Sequence, residues 1–203
     1  MAHSDKNIVI TPARSNASAD PNIVFSGADA STGPQNITLK VYPTNSGTLS
    51  FEGSAGQLFS ITNSLSGTIF SVNDVSGIPS IEVLDTGVIR LATYSGFVSF
   101  GVSTGVSAAG TTQGTATALT RPISVVSTVS GGSADGVIMP SATAGMRVII
   151  INTSAATLKV YPASGGTINA LSANAAYSMA AGTRLEFIAT STTQWYTINA
   201  TFA

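Results

Sequence analysis

A single hexapeptide, used twice, does most to limit what this chain can become. Thr38-Leu39-Lys40-Val41-Tyr42-Pro43 returns as Thr157-Leu158-Lys159-Val160-Tyr161-Pro162, and a Gly-Thr pair follows each copy, at Gly47-Thr48 and Gly166-Thr167. Apolar and polar residues alternate with the two-residue period of a strand. Leu39 and Val41, like Leu158 and Val160, therefore share one face, while Lys40 and Tyr42, or Lys159 and Tyr161, share the other. Proline then ends each strand, because it has no N–H to give to a sheet. A second echo sets Leu58-Phe59-Ser60-Ile61-Thr62-Asn63 against Ile69-Phe70-Ser71-Val72-Asn73-Asp74, and Ile81-Glu82-Val83 continues it less closely. The repeat length is a strand plus a turn, as in the rungs or short hairpins of fibrous β proteins.

The rest of the chain follows the same rule. Alternating segments recur at 22–25, 37–42, 48–51, 57–62, 68–73, 80–84, 88–93 and 97–100, divided by Ser-Gly, Asn-Ser and Asp-Thr-Gly pieces suited to turns. A second set occupies 123–129, 136–139, 146–152, 157–161, 167–170, 175–180, 185–190 and 195–199. No segment has a helical period; alanine-rich 173–181 reads as strand because Tyr177 and Met179 alternate with small neighbours before a turn at Gly182. The expected fold is all-β. It comprises an extended N-terminal arm over 1–21, a β-rich oligomerising and attachment domain over 22–101, a Gly/Ser/Thr linker over 102–120 and a C-terminal antiparallel β-sandwich or barrel-like domain over 121–203.

Composition narrows the function classes. Only 8% of the 203 residues are charged, against about a quarter in an ordinary soluble domain. Eight Lys plus Arg against nine Asp plus Glu give a net charge of -1, which argues against a nucleic-acid partner. The longest aliphatic run, Val148 to Ile151, is far short of the ~20 residues of a membrane span. The Ile8-Val9-Ile10 patch is too short for the core of a secretory signal, so export by the standard route is not expected. Without cysteine, disulfides, thiolate catalysis and Cys-based metal sites are excluded, and no cofactor is expected. With 43% hydrophobic residues and a mean hydropathy of +0.35, a lone copy would expose apolar surface and sheet edges. Tightly packed copies of the same chain would cover them.

Residues that could carry chemistry are few. His3, the one histidine, lies in the arm, so no imidazole is expected on a scaffold. Asp74, Glu82 and Asp85 are the acidic candidates for a glycosidase pair. However, Glu82 and Asp85 are an odd number of positions apart and so face opposite ways on a regular strand, and Asp85 fits better as the start of the Asp85-Thr86-Gly87 turn. Ser130-Gly131-Gly132-Ser133 lacks the lysine and helix of a phosphate loop. Arg147, Lys159 and Arg184 read as single outward charges paired with a carboxylate such as Glu186. Trp195 and Tyr196 form a candidate carbohydrate contact, although adjacent strand positions face opposite ways and one of the two belongs to the core.

Gly56 to Gly101, with Leu58-Phe59-Ser60-Ile61-Thr62-Asn63, the run from Ile69 to Val83 and Thr86-Gly87-Val88-Ile89-Arg90-Leu91, resembles a module of virion structural proteins of tailed bacteriophages, notably those of cyanobacteria and marine bacteria. Residues 135–199 are similar to a small β domain at the ends of phage fibre and head-surface proteins. They carry Asp135-Gly136-Val137-Ile138-Met139-Pro140, Ala144-Gly145-Met146-Arg147-Val148, Asn152, the run from Lys159 to Ile168 and Trp195-Tyr196. The resemblance implies a non-enzymatic homotrimer of intertwined β structure, located in the virion after synthesis in the host cytoplasm. One end would be held by the major capsid protein or another virion protein. A capsid decoration, or cement, protein is the first role implied; there the arm, through Lys6, Asn7, Ile8, Val9, Ile10 and Arg14, would lie over neighbouring capsid subunits. The alternative is a short tail or head fibre that adheres to host-surface polysaccharide, but the chain lacks the extended repeat array of a fibre shaft.

Overall fold

The structure is a computed structural model that describes residues 22–26, 36–43, 46–130 and 134–198. The described residues are all-β, with no α-helix and with a 3-10 turn at Gln113–Thr115. The chain divides into two compact units between Val98 and Ser99.

The first unit is one sheet of seven strands in chain order: β1 (Asn22–Ser26), β2 (Asn36–Tyr42), β3 (Thr48–Gly53), β4 (Gly56–Thr62), β5 (Thr68–Asn73), β6 (Pro79–Leu84) and β7 (Ile89–Leu91). Each strand is antiparallel to the next, as short turns between consecutive strands require. The turns are made by the residues that mark them in the sequence. Asp74 Oδ1 accepts from the backbone N–H groups of Ser76 and Ile78, and Asp85 Oδ2 accepts from Gly67 N–H while Gly87 takes φ +81. Both aspartates are thereby spent on backbone geometry.

The second unit is built differently. Strands β8 (Val102–Ala108), β10 (Ile123–Val129) and β12 (Arg147–Asn152) lie parallel and adjacent in a six-stranded sheet of order β14-β17-β16-β12-β10-β8. In that sheet β14 is Thr167–Ile168, β16 is Arg184–Ala189 and β17 is Gln194–Ile198. Between them, β9 (Thr117–Ala118), β11 (Gly136–Ile138) and β13 (Leu158–Tyr161) stack in parallel in a four-stranded sheet closed by β15 (Tyr177–Met179). The chain thus alternates between two sheets for three coils of a β-solenoid-like region, and β15, β16 and β17 then close it with antiparallel pairing. This corrects the expected antiparallel sandwich. Parallel neighbours here are about twenty residues apart, and that pairing leaves no hairpin signal in the sequence.

Residues 102–120 are also not a linker. They supply β8, the 3-10 turn and β9, and bury Ala108 and Leu119 in the core. Small side chains suffice there because β8 is held by ladder bonds to β10. Gly110, at φ +73, leaves no room for a Cβ, which would stand 2.3 Å from Thr115 O. By contrast, 97–100 forms no strand; Phe97 is 99% exposed, and alternation yields a strand only where a neighbouring backbone completes the ladder.

The core of this unit is packed from both sheets by Trp195, Phe187, Ile150, Leu158, Val126, Val137, Met139 and Met179. Asn152 is the polar hub within it. Its Nδ2 donates to Ala156 O at 2.9 Å and Ala180 O at 3.0 Å, and its Oδ1 accepts from Ser154 Oγ at 2.7 Å, so a buried amide is satisfied.

Candidate functional site

The sheet of the first unit sorts most of its side chains by face, with Val24, in register with Thr38 and Glu52, among the exceptions. Cross-strand register aligns Ile23, Leu39, Phe51, Phe59, Val72, Ile81 and Leu91 in one row, and Val41, Leu49, Ile61, Phe70, Val83 and Ile89 in a second row beside it. Phe51 and Phe59 stack with ring centroids 4.1 Å apart, and Phe70 continues the series at 6.3 Å from Phe59. Among the described residues no second layer covers these rows, and Val41, Ile61, Ile81, Ile89 and Leu91 are exposed.

The opposite face carries every charged residue of the strands: Lys40, Glu52, Glu82 and Arg90. Lys40 pairs with Glu52 at 2.5 Å, Tyr42 donates to the same carboxylate, and Gln57 links Ser50 to Asn73. Glu82 accepts from Thr68 Oγ1 at 3.0 Å and faces Arg90 Nη1 at 3.6 Å. Burial of Glu52 pushes its pKa up, but hydrogen bonds from Lys40 and Tyr42 together with the lysine charge outweigh that, so the carboxyl sits below its ordinary value. The longer side chains shield Ser50, Thr62 and Ser71, which are buried. The polar face is therefore largely occupied with its own hydrogen bonds and ion pairs, and among the described residues the apolar face is the one left without a cover.

The second unit repeats this asymmetry in a different frame. On the outer face of the six-stranded sheet, register brings Val102, Ile123, Ile149, Glu186 and Ile198 into one row and Arg147, Ile188 and Tyr196 into another. An apolar groove of about 480 Å³ lies at one side, lined by Phe100, Pro122, Ile123, Gly145, Ile149 and the Arg147–Glu186 pair. That pair is bidentate, Nε to Oε1 at 2.5 Å and Nη2 to Oε2 at 2.9 Å, and the guanidinium holds the Glu186 carboxyl below its usual range. The four-stranded sheet instead turns Lys159 outward, donating to Ser178 Oγ at 2.8 Å.

The residues singled out from sequence are not brought together. Lys6, Asn7, Ile8, Val9, Ile10 and Arg14, with the whole arm and His3, lie outside the described residues. Trp195 is fully buried and Tyr196 is 48% exposed, so the pair splits as alternation requires and offers one outward ring rather than a platform. Of the carboxylates, Asp74 and Asp85 hold turns, and Glu82 is paired on the polar face. Among the described residues no group of three or more His, Cys, Asp or Glu could hold a metal ion, and no helix is long and apolar enough to cross a membrane. The apolar face of the first unit was not recognised as a site from the sequence, although its signal, polar residues at alternate positions, is present in β2, β3, β6 and β7. Set against known proteins, the chain matches no family model, no curated relative and no solved structure.

Proposed function

We propose that this protein is a non-enzymatic structural component of a phage particle, a homotrimer that decorates and stabilises the capsid surface. The observation that supports this reading best is that, among the described residues, the first unit presents an apolar sheet face without a cover, and the second a largely apolar one interrupted by the Arg147–Glu186 pair. A soluble domain rarely leaves such a face bare, and a chain with two of them is suited to assembly rather than to turnover of a small molecule. Burying side chains of this size gains ~1.5–3 kcal/mol each from full exposure, so a dozen half-exposed ones would hold copies together firmly. The decoration role itself comes from the resemblance to virion proteins. In that role the arm over 1–21 binds neighbouring capsid subunits, and three modest contacts per trimer combine through high local concentration.

Deleting residues 1–21 tests the role: the trimer should persist in sedimentation, while its binding to capsids of its phage is lost. Unchanged coating of capsids by the truncated chain would refute the arm model. Hundreds of copies on the head of an averaged virion image would support decoration, whereas a few copies at the tail would replace it with the fibre reading.

A further inference from the structure

We propose that the seven-stranded sheet is one wall of a three-walled hydrophobic prism, completed by the same sheet of two further copies of this chain with their apolar faces turned to a common axis. The inference rests on the homo-oligomer reading above and adds which face closes the assembly and around what geometry.

The duplicated hexapeptide supplies the first argument. Leu158 and Val160, on β13, are fully buried because a second sheet covers them. Leu39 and Val41 hold the same places in the same motif on β2, yet Val41 is 42% exposed. Among the described residues the first unit therefore has the inner face of a two-layer design without the second layer. Its occupant must be as apolar as the face itself, since the two rows contain no charged or hydrogen-bonding side chain. Another copy meets that condition. All four strand charges point the other way, so like faces can meet without burying like charges.

Dimensions argue for three walls. Packed sheets stand ~10 Å apart, so a wall lies ~5–6 Å from the centre of its core, and an equilateral triangle of that inner radius has sides of ~17–21 Å. Strands β3, β5 and β6 have six residues each, about 20 Å at ~3.3 Å per residue. The length of these three strands thus matches the side of the triangle, β2 and β4 being one residue longer and β1 and β7 shorter. Each strand from β3 to β7 also contributes two apolar side chains to the rows, enough to fill the middle of a side while its ends turn the corners. Seven strands at ~4.8 Å spacing make the wall ~29 Å long, so its ~29 by ~20 Å face offers ~580 Å², short of the ~800 Å² per partner of a standard interface but without a charged side chain in its two rows.

Single-cysteine variants of the full chain test this cleanly, because the protein has no cysteine of its own. Ile61→Cys and Ile81→Cys place a thiol on the apolar face, where the isolated chain leaves those positions 49% and 38% exposed. Val75→Cys, in the turn after β5 and 77% exposed, serves as the control. The expected result is a sedimenting mass of three times the 20.4 kDa chain. Maleimide should react at 61 and 81 on the order of 100-fold more slowly than at 75, as for sites that open only with the assembly. A trimer in which Ile61→Cys and Val75→Cys react alike would overturn this placement while leaving self-association intact. A dimer with protected thiols would overturn the three-walled geometry, and a stable monomer at micromolar concentration would overturn both.

Discussion

Leu158→Ala measures how far the second unit depends on its inner face. Leu158 is fully buried between the two sheets, and truncating such a leucine removes its transfer free energy and leaves a cavity, together ~2.7–5 kcal/mol. Its neighbour Lys159 points outward, with one hydrogen bond to Ser178, so Lys159→Ala should stay within ~0.5 kcal/mol. The lone tryptophan, Trp195, is buried in the same core, so its fluorescence during thermal unfolding reports on this unit directly. For a domain of about a hundred residues each kcal/mol is worth ~4–8 °C. Leu158→Ala should therefore lower the midpoint by on the order of 15 °C or more, and Lys159→Ala by no more than a few degrees. Equal shifts for the two variants would refute the assignment of faces on β13.

Two further outcomes follow from named contacts. Glu186 has a folded pKa below the ~4.3 of an unfolded glutamate, so its pairing with Arg147 contributes stability that is complete above that value and is lost as pH falls through the folded pKa. Glu186→Gln should flatten the acid limb of a stability-versus-pH curve measured with urea; an unchanged limb would count against the pair. Gly136→Ala would place a Cβ 2.6 Å from the Tyr161 ring and 2.9 Å from Lys159 O. It should cost ~1–3 kcal/mol by overpacking, read as a lower urea midpoint with an unchanged m-value.

Local pattern carried the sequence reading as far as local pattern can. Alternation placed β2 to β6, and the second hexapeptide turns Leu158 and Val160 inward and Lys159 outward, but Tyr161, expected on the face of Lys159, is buried. It failed where the stabilising partner is distant in the chain. Val102 to Ala108 has few side chains to signal a strand, and its ladder comes from β10, some twenty residues later. Phe97 to Phe100 has the right alternation and no ladder. The split between Trp195 and Tyr196 was legible as a split, but which ring lies inside depends on β16, whose Ala189 pairs with Trp195 and is buried with it.

The stacked parallel coils of the second unit give it a growth rule. Equivalent positions recur from Thr117 to Val137 to Val160, and each coil bonds only to those directly beside it. Copying one such segment would lengthen the ladder by a single strand spacing, ~4.8 Å, while the closing hairpin stayed as it is. The reach of this part of the molecule is thus adjustable in fixed increments by tandem duplication, with no redesign of its ends.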